Sequence, residues 1–319
     1  MRDAVRLFTV LGAAALLSAC GGGGGGSSPS TVLPGATMPD AAARGVDAVT
    51  RNAPAPLATA SPPAGCTYVV TVNPATQLDK SRTAKRFTGG ENLNLDASPC
   101  DYGIYLGPAS HHARIEESRI HGGNRIGIIA EGADDVSIRE TAINGGPIAG
   151  VEFLYNASGS IERSFLTNSQ NGVIIEFGAR GLVGETNITN MSFLGINVLE
   201  NATATVEDVY IDNSMNVGSG VAVQLSSTGK VRRTTAIGAG KPTIGGPQFG
   251  FFFGYRNPHV EITDSRAIHN QYGFGAYCTT SIPSVDELTD EHNRASGSTI
   301  KNYDVVTDPA LCAPPPPGF

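Results

Sequence analysis

Residues 150–171 read GVEFLYNASGSIERSFLTNSQN, and the same pattern begins again at once with Gly172-Val-Ile-Ile175. Two phrases make up this stretch. One is a glycine followed by a short apolar run. The other is an apolar anchor, four mostly polar residues and a second apolar residue, Ile161-Glu-Arg-Ser-Phe-Leu166. Both recur along the chain. The glycine phrase returns as Gly103-Ile-Tyr-Leu106, Gly127-Ile-Ile-Ala130, Gly195-Ile-Asn-Val198, Gly220-Val-Ala-Val223, Gly250-Phe-Phe-Phe253 and Gly273-Phe-Gly-Ala276. The anchor phrase starts at Ile115, Ile138, Val183 and Val206, and in weaker form at Val231 and Ile262.

The spacing is asymmetric. Five glycines, from Gly127 to Gly220, stand 11 residues before the next anchor, and Gly103 and Gly250 stand 12 before it. From each anchor to the following glycine the count runs 12, 12, 11, 12, 14, 19 and 11. One half of the repeat is therefore nearly fixed, and the other absorbs insertions. A period of about 23 residues is too short for paired helices, and the leucine spacing of leucine-rich repeats is missing. It suits one coil of three short strands and three turns. The sequence predicts an all-β fold, a parallel β-solenoid of about eight to ten coils whose equivalent residues stack about 4.8 Å apart.

Composition agrees. Of 319 residues 40 are Gly, 20 are Pro, none is Trp and 16% are charged. Glycine without a three-residue period excludes collagen, and the apolar content is too high for a disordered chain. The formal net charge is −7 and there is no basic run, so no nucleic-acid partner is expected.

The two phrases resemble the repeats of right-handed parallel β-helices of the pectate-lyase-like superfamily. In those repeats an apolar–polar–polar–Asn–polar–apolar unit alternates with a Gly-Ile unit. The resemblance covers roughly residues 66–312, and it implies the fold and its hand rather than an activity. The third residue after each anchor departs from the family's Asn: here it is Ser118, Thr141, Ser164, Thr186, Val209, Thr234 and Ser265. Small hydroxyls there are expected to bond along the coil axis or to turn backbone. The domain is placed at 65–312, with a Pro-rich tail at 313–319.

Four cysteines fall within the solenoid. Cys100 and Cys278 lie seven coils apart, roughly 34 Å, whereas a disulfide needs Cα atoms within about 7 Å. The pairs expected are Cys66–Cys100 and Cys278–Cys312, one near each end. Residues 279–297 are expected to form a loop or short helical cap.

The first twenty residues, MRDAVRLFTVLGAAALLSAC, have the layout of a secretory leader. They end in Leu17-Ser-Ala-Cys20, which resembles a bacterial lipobox. The resemblance implies removal of residues 1–19, lipidation of Cys20 and anchoring in a membrane, and Gly21 after the cysteine resembles outer-membrane sorting. Residues 20–64 then read as the lipidated Cys and a Gly/Ser/Pro/Ala linker.

Candidate chemistry is sparse. With glycine +1 and +3 pointing inward, +2 and +4 point out. Glu131, Glu152 and Glu176 then stand on consecutive coils as a small acidic strip, with solvated surface carboxylates the plainer expectation. Phe251, Phe253, Phe274 and Tyr255 are expected to fill the interior. Phe252 and Tyr277 are expected to face outward, with Lys241 and Arg256 in nearby turns, and exposed aromatics beside polar donors suit a sugar ring. The 19-residue spacing between Val231 and Gly250 makes this the side with the longest loop. The column Glu117, Glu140, Arg163, Glu185, Asp208, Arg233 and Asp264 reads as a mixed-sign solvated edge. Ca²⁺ at Glu117 and Glu140 is its alternative, and no cofactor or metal is otherwise expected. His121-Gly122-Gly123 is superficially similar to a polygalacturonase element, but the accompanying elements do not occur in order, so no catalytic residue is carried over.

Two functions remain. One is a cell-envelope lipoprotein whose solenoid binds glycan or another envelope component without catalysis. The other is a polysaccharide lyase or glycoside hydrolase. Two carboxylates and a base converging within about 10 Å in one groove would favour the second.

Overall fold

Short runs of β-branched and aromatic residues, broken at fixed intervals by Gly, Asn and Asp, close into coils of three strands. The computed structural model describes residues 61–73, 78–85, 90–243, 247–282 and 284–306. The leader through Cys20, nearly all of the linker, Cys312 and the Pro-rich tail lie outside the described residues.

Among the described residues three sheets run along the solenoid, with 11, 8 and 9 strands. Sheet A holds the glycine phrases, from Tyr102–Leu106 through Ala149–Leu154 to Tyr272–Tyr277 and Lys301–Val306. Sheet B holds the anchors, in strands such as Ser158–Glu162 and Thr203–Glu207. Sheet C holds the second apolar residue, in three-residue strands such as Phe165–Thr167 and Tyr210–Asp212. Coil-to-coil pairing is parallel and keeps repeat register: Ile161 stands between Ile138 and Val183, and Leu166 between Ile143 and Ile188. The fixed half of the repeat is thus sheet A, its turn and sheet B. The insertions fall in the turn from sheet C back to sheet A.

The glycine is demanded by coil stacking. A Cβ on Gly172 would lie 2.6 Å from the carbonyl oxygen of Gly195 in the next coil and 2.6 Å from Ile188 Cγ2. No side chain fits there, so the column stays glycine. Glycine +1 and +3 do point inward. Val151, Phe153, Val173, Ile175, Phe251, Phe253 and Phe274 are fully buried in one continuous core with the anchors. Tyr255 departs from expectation: it packs with the cluster outside sheet A.

The hydroxyl column behaves as expected, in both ways at once. Ser118, Thr141, Ser164, Thr186, Thr234 and Ser265 are buried, and each donates to the carbonyl two residues earlier, as from Thr186 Oγ1 to Gly184 O at 2.7 Å. Several also accept a backbone N–H from the preceding coil, as Ser164 Oγ does from Thr141 at 3.2 Å. A polar column is tolerated inside because its donors and acceptors are paired.

Both ends are covered. At the first end an antiparallel hairpin, Cys66–Asn73 with Leu78–Lys85, joins sheet A through Ala84 beside Tyr102. The Cys66–Cys100 disulfide ties it down, with Cα atoms 5.8 Å apart. At the other end Ser284 caps the helix Val285–Asp290, which buries Leu288 where sheet B would continue. Asn293 then donates to Ile262 O and Leu288 O. Cys278 is disulfide-bonded, and its expected partner Cys312 lies outside the described residues.

Candidate functional site

The outer face of sheet A is covered, which corrects the expectation of exposed aromatics there. Strands of five or six residues carry three outward columns side by side. A fourth column stands in the turn that follows. Tyr155, Phe177, Leu225 and Tyr255 each hold a positive φ, between 51 and 59°, in the turn from sheet A to sheet B. That conformation is strained for bulky residues, at about 1–2 kcal/mol each. All four side chains pack onto the outward residues. Phe252 is accordingly 5% exposed. Its ring lies 5.1 Å from Phe249, 5.4 Å from Tyr255 and 5.7 Å from Tyr277. Tyr277 is half-buried and bonds through its hydroxyl to Asp304, which Lys301 also binds at 2.8 Å.

The basic pair does not gather there either. Lys241 and Arg256 are both exposed, but Lys241 precedes sheet A and Arg256 follows it, on opposite edges. Gly240, in the long insertion, is bonded on both sides: Gln248 Oε1 accepts from Gly240 N at 2.9 Å, and Gly240 O accepts from Thr299 Oγ1 at 3.1 Å.

Glu131, Glu152 and Glu176 do occupy consecutive coils, but they are 3%, 8% and 6% exposed rather than solvated. Glu152 sits opposite Ile129 and Ile174. Glu131 and Glu176 therefore flank it diagonally. Glu176 and Glu152 hydrogen-bond to each other. Burial raises both carboxyls above the usual range, and Glu176 rises further through the charge of Glu152. Arg125 partly offsets this at Glu152. Glu131 accepts from Tyr105, whose hydroxyl is pushed up by burial and by that carboxylate. Of the two carboxyls Glu176 is raised further, so it is the donor of the pair and Glu152 the acceptor while they share a proton.

Sheet C presents the opposite surface. Phe165 and Tyr210 are 42% and 41% exposed, in one outward column with Asn187 between them. The rings stand two coils apart, about 9.6 Å along the axis. Polar groups flank them: Thr167 and Thr189, bonded hydroxyl to hydroxyl at 3.2 Å, then Asp212. Beyond these, Asn168 donates to Asn144 at 2.8 Å and Asn190 donates to Asn168. Sequence reasoning missed both aromatics, although the alternation that buries Leu166 and Ile211 puts their neighbours outside.

The remaining candidates stay apart. His121 stands on the outer face of sheet C, whereas Asp134 and Asp135 follow sheet A and bind Ser158 and His112. Glu117, Glu140, Arg163, Glu185, Asp208, Arg233 and Asp264 all turn the corner from sheet B to sheet C with φ between 45 and 55°. Arg163 pairs with Glu140 at 3.3 Å, and Arg233 with Glu207 and with Asp208, the latter at 2.7 Å. Among the described residues no group of three His, Cys, Asp or Glu is placed to hold a metal ion, Glu117 and Glu140 included.

No curated protein sequence matches the chain. The crystal structure of pectate lyase Pel9A is similar, with 12% identity and a TM-score of 0.44 over 70% of this chain. The chain spans 66% of that protein's length. The family model for the right-handed β-helix region matches residues 102–241 and 149–303. These two matches span more than half of the 319 residues. The chain belongs to the right-handed parallel β-helix family.

Proposed function

We propose that this protein is an envelope lipoprotein that binds a glycan without cleaving it, on the outer face of sheet C. The observation that carries this reading is the exposed pair Phe165 and Tyr210, aligned along the solenoid axis and flanked by Asn187, Thr189 and Asp212. An aromatic face packs on the apolar C–H face of a sugar ring, and amide, hydroxyl and carboxylate groups beside it bind the polar rim. Rings spaced by two coils suit a chain of sugars laid along the axis rather than a single residue. The lipobox-like Cys20 supports attachment to a membrane, the outer membrane by its Gly21, and the linker supplies reach. The test pairs a glycan array with metabolic fatty-acid labelling. The expected results are retention of a polysaccharide and a labelled chain, with labelling lost in Cys20→Ser. Continued labelling of Cys20→Ser contradicts the anchor. An array without any bound glycan contradicts the binding reading.

A second reading, polysaccharide cleavage at sheet A, is favoured by one observation: Glu152, Glu176 and Arg125 do converge. Two features count against it. The carboxyls are buried, and they touch each other, whereas glycosidases hold theirs about 5–5.5 Å or about 6.5–9.5 Å apart. Release of reducing ends or unsaturated products that is lost in Glu152→Gln would establish this second reading.

A further inference from the structure

We propose that Glu152 and Glu176 form a proton-dependent clasp on sheet A, closing neighbouring coils while they share one proton and loosening the Tyr155–Phe177 edge when it leaves. The clasp concerns a face of the molecule separate from the glycan reading, and either can fail alone.

The geometry carries it. Ala149–Leu154 and Asn171–Ile175 are adjacent parallel strands, and Glu152 and Glu176 meet diagonally across that step. The pair is enclosed by Ile129, Leu154, Ile174 and Leu199 of the outer cluster, with Tyr155 and Phe177 stacked 5.3 Å apart at its rim. Those two aromatics hold positive φ, so the edge is strained and stays closed only while packing holds it.

The strand Ile126–Glu131 contributes Glu131, and the turn before it contributes Arg125. Tyr105 bonds to Glu131 from the preceding coil. On the other side Glu200 follows Leu194–Val198 and adds negative charge near Glu176, with Arg256 beyond it. Around the pair, then, Arg125 is the near cation, against Glu131 and Glu200. Loss of the shared proton to solvent leaves two facing carboxylates in a buried, mostly acidic surrounding.

The sign follows from linkage. Both carboxyls are raised in the folded protein above their usual value of about 4.3. The folded state therefore binds more protons than the unfolded state in the interval between the two values. The contribution to stability is fully present below the unfolded value and is lost as pH rises through the folded one.

Amide exchange of the full mature chain tests the clasp, after correction for intrinsic base catalysis. Between about pH 5 and about pH 8, residues 149–156 and 171–178 should lose protection by about tenfold or more. Sheet C residues 165–167 and 187–189 should keep theirs. Glu176→Gln keeps the donor without the titration, so its profile should lose this pH dependence. An equal loss over both sheets, or the same dependence in Glu176→Gln, overturns the clasp. Carbon-13 titration of wild-type glutamate carboxyls gives a reading that needs no variant. One carboxyl should titrate well above the usual range. All titrating within that range overturns the proposal.

Discussion

Phe252 and Phe165 both point away from the core, each on the outer face of a parallel sheet, yet one is 5% and the other 42% exposed. The residue type is the same. What differs is the strand and the turn beside it. Phe252 belongs to the six-residue strand Phe249–Gly254 and has Phe249, Tyr255 and Tyr277 against it. Phe165 belongs to the three-residue strand Phe165–Thr167. Its corner residues, Arg163 and Asn168, are polar and reach into water. In a solenoid, then, strand length and turn chemistry decide whether an outward aromatic becomes covered floor or open platform. Alternation alone gives only the side.

The interior sets the scale for both outer faces. Ile161 is fully buried between Ile138 and Val183. Ile161→Asp should cost about 4 kcal/mol or more, because no partner is there for a charge. Urea midpoints measure it, and a near-normal midpoint would mean that the anchor column does not define the core. Phe252→Ala comes next, at about 3 kcal/mol, since it opens a cavity in a packed aromatic cluster. Phe165→Ala should stay within about 0.5 kcal/mol of the parent. Equal losses in these two variants would break the comparison between sheets. A loss larger at Phe252 than at Ile161 would make the outer cluster the true core.

Much of this was legible beforehand, for reasons particular residues make plain. Gly172 and Ile161 repeat because coil stacking forbids a Cβ at one place and needs an apolar group at the other. The hydroxyl column from Ser118 to Ser265 and the Cys66–Cys100 link followed from the same register. Burial of Glu152, Glu176 and Phe252 did not. It depends on Tyr155, Phe177 and Tyr255 holding positive φ, which their identities disfavour and only the closed turn imposes. The hairpin strand Leu78–Lys85 was hidden too, since LDKSRTAK has little apolar alternation and is held by its partner strand. Phe165 and Tyr210 were within reach of the alternation rule, one residue before Leu166 and Ile211.

Equilibrium binding of the glycan retained on the array, measured for the parent and for Phe165→Ala, Tyr210→Ala and Phe252→Ala, tests the open-platform claim most directly. If each ring stacks on a sugar, it should account for about 1.4 kcal/mol, a tenfold change in affinity. Phe165→Ala and Tyr210→Ala should each weaken binding by about tenfold at unchanged thermal stability. Phe252→Ala, in conditions where it remains folded, should bind like the parent. Parent-like binding by both sheet C variants, with binding lost in folded Phe252→Ala, would place the ligand on sheet A and contradict the account.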